Sequence, residues 1–197
     1  MRRVLPALGI AAAVALWAFT SFAAPPKIKA EVAEPVLEEL MGGCSLRCSV
    51  VWSVQVQAER QRAASSVKEL NDESPQSAWT AARGASGVGT RIRMVFPTNI
   101  PKEMDGEVPL YGLNLINGNW KSEALWKQHA RLKRARLYYN KRVLAELSFS
   151  DSRRWQKVVF DDQMISSGDS LTLEVLEVYP GTKHGLALSE LVLEGAH

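Results

Sequence analysis

The sequence predicts an all-β chain folded as a sandwich or jelly roll, and three observations carry that prediction. First, short runs in which apolar residues recur every second position follow one another: Ser49 to Gln57, Arg91 to Phe96 and Val143 to Phe149. Trp155 to Phe160, Ser170 to Tyr179 and Leu186 to Leu193 are further strand candidates. Second, Gly, Asp, Asn and Pro stand between many of these runs, as turns require. Third, Leu113 to Tyr139 reads as two strands around a turn and a polar crossover. Asn117-Gly118-Asn119 makes the turn, because Asn and Gly tolerate positive φ. The crossover holds Trp, Lys and Arg, and long polar loops on a sheet scaffold usually carry binding functions.

In chain order, Arg2 and Arg3 precede the uncharged, mostly apolar run Leu5 to Phe22. Ser21 and Ala23 place small residues where a signal peptidase reads them, so residues 1–23 are expected to be a signal peptide cut before Ala24. An uncleaved anchor is the alternative, since the run is nearly long enough to span a hydrocarbon core of ~30 Å. The chain is therefore expected to be exported, to the periplasm, the cell surface or the medium, with no membrane span after cleavage. Residues 24–43, with Pro25, Pro26, Pro35 and several Glu, read as a Pro/Glu-rich linker, and 44–197 as one domain.

Cys44 and Cys48 are the only cysteines and, in an exported chain, read as a local disulfide. So short a loop would contribute ~2 kcal/mol. A metal site is the rival, but it would need two more ligands, and His129, His184 and His197 have no motif spacing towards the pair. Val50, Trp52, Val54 and Val56 share one face of the first predicted strand. Leu70 to Trp79 is a loop dense in oxygen ligands. The Gly-rich Arg83 to Thr90 lacks the Lys-Ser/Thr ending of a phosphate loop and precedes an alternating segment, so it is read as a strand-to-strand connection. The apolar face changes phase at Leu176 and Val178, as a bulge would cause, and again near Ser189-Glu190.

The 197 residues carry a formal charge of +3, and removing Arg2 and Arg3 leaves +1. Lys121 to Lys157 carries eleven Lys and Arg against three acids, +8; from Asp161 onward seven acids face one Lys, −6. A cationic patch could meet an anionic glycan, lipopolysaccharide or an acidic partner, or the acidic strands could neutralise it on folding. A nucleic-acid partner is not expected for an exported chain. No Gly-x-Ser-x-Gly elbow or marked histidine constellation points to catalysis, so the chain is not read as an enzyme.

The motifs come in a fixed order: Cys44-x-x-x-Cys48, Ala64-Ser65-Ser66, Asn71-Asp72, Ala78-Trp79, Gly87-Val88-Gly89, and Ile116 through Ser122. Arg131-Leu132-Lys133, Val178 through Lys183 and Leu188 through Leu191 follow. This order resembles the discoidin-like, galactose-binding-like domain that accompanies bacterial NAD glycohydrolases, the NADase-type glycan-binding or translocation domain. The resemblance implies a β-sandwich jelly roll and non-catalytic carbohydrate recognition. It departs from the pattern at Asn119, where a Tyr is usual, at His129, where an Asn is common, and around Gly185, where an Asp often stands.

Two sites are expected. Asn117, Trp120, Lys121, Trp126 and Arg131 supply the aromatic faces, amide and cations that sugars use, although either Trp could instead be a core residue. A structural calcium is the second: the resemblance implies an ion pinning the loop to the last strand, with Asn71, Asp72, Ser77 and Glu190 as ligands. An Asx turn in the loop and an amide-bonded Glu190 are the alternative. The function expected is recognition of a cell-surface or extracellular glycan. A structural or protein-interaction adaptor bound to an envelope protein is the alternative.

Overall fold

The computed structural model describes residues 24–33, 54–59, 62–63, 65–72, 74–82, 86–100 and 106–195. The predicted signal peptide and the Cys44–Cys48 pair lie outside them. The strands are β1 Lys27–Lys29, β2 Glu31–Ala33, β3 Gln55–Ala58, β4 Trp79–Thr80, β5 Arg91–Val95, β6 Glu107–Asn117, β7 His129–Tyr139, β8 Arg142–Ser148, β9 Trp155–Ser166, β10 Ser170–Tyr179 and β11 His184–Gly195. A 3-10 helix, Val67–Leu70, and one α-helix, α1, Glu123–Gln128, complete the described elements.

The strands form two facing layers, as expected for an all-β sandwich. One runs β1-β8-β7-β10-β5-β3 and the other β2-β9-β6-β11-β4. The layers join where the start of β11 pairs in parallel with the start of β7, His184 opposite His129 and Leu186 opposite Ala130. The period-two pattern explains the packing. In β10, Leu171, Leu173 and Val175 are buried, while Thr172 and Glu174 point outward. They meet Ile92 and Met94 of β5, Leu137 of β7, and Leu113, Leu115 and Leu193 from the opposite layer in one core. Each such side chain removed from water contributes ~2 kcal/mol.

The phase change in β10 is a bulge. Its register against β7 shifts between Val175 and Glu177 and again at Val178. The change in β11 has another origin than the expected bulge. Leu188 pairs with Trp79 of β4, and Glu190 to Glu194 pair in register with β6 before a shift at Gly195. Leu186 to Leu191 are all buried, so both faces of β11 are covered where it passes from β4 to β6. The Gly-rich connection does lead into a strand, β5, with Gly87 at φ +100 under Leu186.

The linker reading fails for its first part. Lys27–Lys29 adds to the edge of β8, Lys27 opposite Glu146, and Glu31–Ala33 adds to the edge of β9, Glu31 opposite Lys157. Between them Ala30 is buried, and Ile28 packs on the core. The segment alternates Ile28, Ala30, Val32, but its prolines and charges masked that pattern. It straps one layer to the other.

Removing residues 24–33 should bare the edges of β8 and β9, which then become templates for other chains. A chain beginning at residue 34 is expected to melt roughly 5 °C or more lower and to associate with rising concentration. Differential scanning calorimetry and light scattering check this; an unchanged melting temperature would refute the strap.

Candidate functional site

The expected site lies at one end of the sandwich, between the end of β6 and the start of β7. Gly118, at φ +87, turns the chain, and a Cβ there would sit 2.6 Å from the Trp126 ring. The segment after the turn is not simply a loop. Ser122 caps α1, accepting the Leu125 N–H, and Lys127 bridges to Glu123 within the helix. Six residues are too few for a helical period to show in sequence, so the cap was its one signal.

Asn117 is fully buried. Its amide donates to Leu132 O at 2.7 Å and accepts the Leu132 N–H at 2.7 Å, locking β6 to β7. Arg131 is 7% exposed. Its guanidinium grips Asp151 through two hydrogen bonds, donates to the carbonyls of His129 and Pro180, and lies 4.5 Å from the Trp126 ring centroid. Trp126, half-buried, donates its indole N–H to Asn117 O. The side chains of Asn117, Trp126 and Arg131 are thus engaged by the protein itself and frame the turn.

Trp120 and Lys121 sit differently. Trp120 is half-exposed and Lys121 exposed. The Trp120 backbone N–H donates to Ser189 Oγ, which itself donates to Gly118 O. The indole N–H donates to Arg153 O, Arg153 donates back to Trp120 O at 2.6 Å, and its guanidinium stands 5.6 Å from the ring centroid. An aromatic face is thereby held at fixed orientation beside the Arg153 guanidinium, and the next residue, Lys121, donates its N–H to Asn119 Oδ1. Sequence reasoning missed Arg153, Asp151 and Ser189 as site residues because they come from remote segments.

His129 is buried against His184, ring centroids 4.7 Å apart. Its Nδ1 is bonded to Leu125 O, so Nδ1 carries the proton and donates. Burial pushes its pKa below the ordinary 6.5, and His184 presses the same way.

The calcium residues are arranged as follows. Asp72 accepts the Ser74 N–H and the Ser77 hydroxyl, an Asx turn, and Asn71 caps the 3-10 helix. Glu190 is buried in β11 opposite Ile116. Each oxygen of Asp72 accepts one hydrogen bond inside its turn. Among the described residues no group of three or more His, Cys, Asp or Glu could hold a metal. No helix among them is long and apolar enough to cross a membrane.

The charge polarity is partly resolved by pairing. Glu177 holds Lys133, Glu194 holds Lys157 and Glu174 holds Arg91, while Glu146 holds both Arg134 and Arg136.

Residues 45–194 match the family described as the NAD glycohydrolase translocation F5/8 type C domain, and the chain belongs to it. Among solved structures, the CBM32-1 and CBM32-2 domains of Clostridium perfringens ZmpB are similar at TM-score 0.56 and 10% identity, over 88% of this chain and 42% of that one. This chain therefore spans less than half of that structure. The family 32 carbohydrate-binding module of C. perfringens NanJ, solved with galactose, matches at TM-score 0.53 and 10% identity, over 73% of this chain and 96% of that one. A further module, CpGH89CBM32-5 of C. perfringens, solved with GalNAc-β-1,3-galactose, matches at TM-score 0.51 and 14% identity, over 73% and 97%. These establish the galactose-binding-like, discoidin-like sandwich. No curated protein matches the sequence.

Two outcomes follow from the geometry. Asn117→Ala leaves a buried N–H and a buried C=O of Leu132 unmet and should cost about 2–4 kcal/mol, read from the urea midpoint. Acid should act in two stages. His129 binds its proton more weakly folded than unfolded, so stability declines as pH falls below 6.5. Glu146 and Glu174 are held below the ordinary 4.5, the first by Arg136 and the second by Tyr138, so their contribution is present above pH 4.5 and lost below it. Melting temperature against pH should fall in both windows, and His129→Asn, which keeps an N–H for Leu125 O, should remove the first.

Proposed function

We propose that this member of the NAD glycohydrolase translocation F5/8 type C domain family is an exported, non-catalytic module that binds a cell-surface or extracellular glycan, with Trp120 as its platform. The observation that carries the reading is the fixed, half-exposed indole of Trp120 beside the Arg153 guanidinium, with exposed Lys121 next in the chain. Sugar C–H faces pack on aromatic rings, and sugar hydroxyls accept from cationic donors. A ring already immobilised loses little entropy on binding. Asn117, Trp126 and Arg131 serve as positioning residues that hold the turn bearing Trp120. Support for a sugar ligand also comes from fold neighbours solved with GalNAc or galactose. Support for export comes from the N-terminal Arg2-Arg3 and apolar run.

The test is an NMR titration of the full chain against galactose, GalNAc and their oligosaccharides. Saturable shifts around Trp120 are expected, and Trp120→Ala should abolish them while the strand resonances stay in place. Absence of any response across the panel would favour an envelope protein as the partner instead.

A further inference from the structure

The outer face of the β3-β5-β10-β7-β8 layer carries two adjacent rows of outward side chains, and their charges are handled differently. In one row Arg91, Glu174, Arg136 and Glu146 stand opposite one another on β5, β10, β7 and β8. Each cation there has a carboxylate: Arg91 meets Glu174 at 3.1 Å and Arg136 meets Glu146 at 2.6 Å. In the next row Gln57, Arg93, Thr172 and Tyr138 stand opposite one another on β3, β5, β10 and β7. Arg93 has only the Ser170 hydroxyl, at 3.3 Å. Just beyond, the tight β7–β8 turn Asn140-Lys141, with Asn140 at φ 53, presents Lys141. Neither Arg93 nor Lys141 has a carboxylate partner among the described residues.

This second row is the floor of a groove of about 510 Å³ that Asn140 and Lys141 close at one end. Across four strands it is ~14 Å long. Apart from Ala58, its lining side chains are amide, hydroxyl and cation, with Glu59 as its one lining acid. Tyr138 gives its hydroxyl proton to Glu174, leaving its oxygen lone pairs for an incoming donor.

We propose that this groove binds a stretch of acidic polysaccharide, a second ligand site on the sheet face that is separate from the Trp120 end. Sugar carboxylates meet Arg93 and Lys141, whose charges the sheet leaves uncompensated. Sugar hydroxyls meet Gln57, Thr172, Tyr138 and Asn140. The proposal does not rest on the Trp120 reading.

The test titrates the full chain with an oligogalacturonate, a neutral galacto-oligosaccharide and a polyglutamate peptide of matching charge, followed by NMR. The oligogalacturonate should shift the amides of Gln57, Arg93 and Thr172, with affinity falling as salt rises. The double variant Arg93→Gln/Lys141→Gln should bind it about tenfold or more weakly, while Trp120→Ala should bind it unchanged. Both replaced side chains are exposed, so the melting temperature should hold. Unshifted groove amides, or undiminished affinity in the double variant, would overturn the proposal. Equal binding of polyglutamate would also overturn it, by reducing the groove to a general anion surface.

Discussion

A guanidinium withdrawn from water must have its N–H groups met, and Arg131 meets that demand by gathering four parts of the chain. It takes the carboxylate of Asp151 from the β8–β9 connection, the carbonyl of His129 from its own strand, the carbonyl of Pro180 from the β10–β11 connection, and the face of Trp126 from α1. Asp151 remains exposed while Arg131 is buried, and an ion pair of this kind is weak as a source of stability but demanding in geometry. Lysine would not substitute, because a point charge cannot hold two carboxylate oxygens and two carbonyls in one plane. The end of the sandwich is therefore rigid, and the turn carrying Trp120 inherits that rigidity through Trp126 and Asn117.

The fold was legible because strand periodicity is local. Leu171, Leu173 and Val175 announce their face by spacing alone, and even the β10 bulge showed as a phase change. What was not legible depends on distant partners. Nothing near Leu186–Leu193 reveals that β11 exchanges β4 for β6, so its phase change resembled a bulge. Lys27 to Ala33 is strand because β8 and β9 have open edges, a fact recorded far away in sequence. The candidate site divides in the same way. Its residue types were readable, but whether each faces solvent or protein was not. Asn117 and Arg131 turned inward because Leu132 and Asp151 claim them.

Two of the departures from the family pattern have physical counterparts. His129 stands where asparagine is common, and its Nδ1–H reaches Leu125 O as an asparagine amide could. Asn119 stands where tyrosine is usual; its side chain caps the Lys121 N–H, and the aromatic face is carried one residue later by Trp120. The first exchange keeps the hydrogen bond and adds a titratable ring. The second moves the aromatic ring one residue along the turn.

The strap formed by Lys27–Ala33 lies outside the matched family region yet closes both layers. Its partners, Glu146 and Lys157 among them, lie far downstream, so the earliest-made of these strands is among the last able to dock. Contacts of such sequence separation are slow to form. Until then the open borders of β8 and β9 are exposed to other chains. For a polypeptide made N-terminus first, the interval between synthesis of the last strand and closure is its most vulnerable period, and how quickly this clasp fastens would set how much of the newly made protein escapes association.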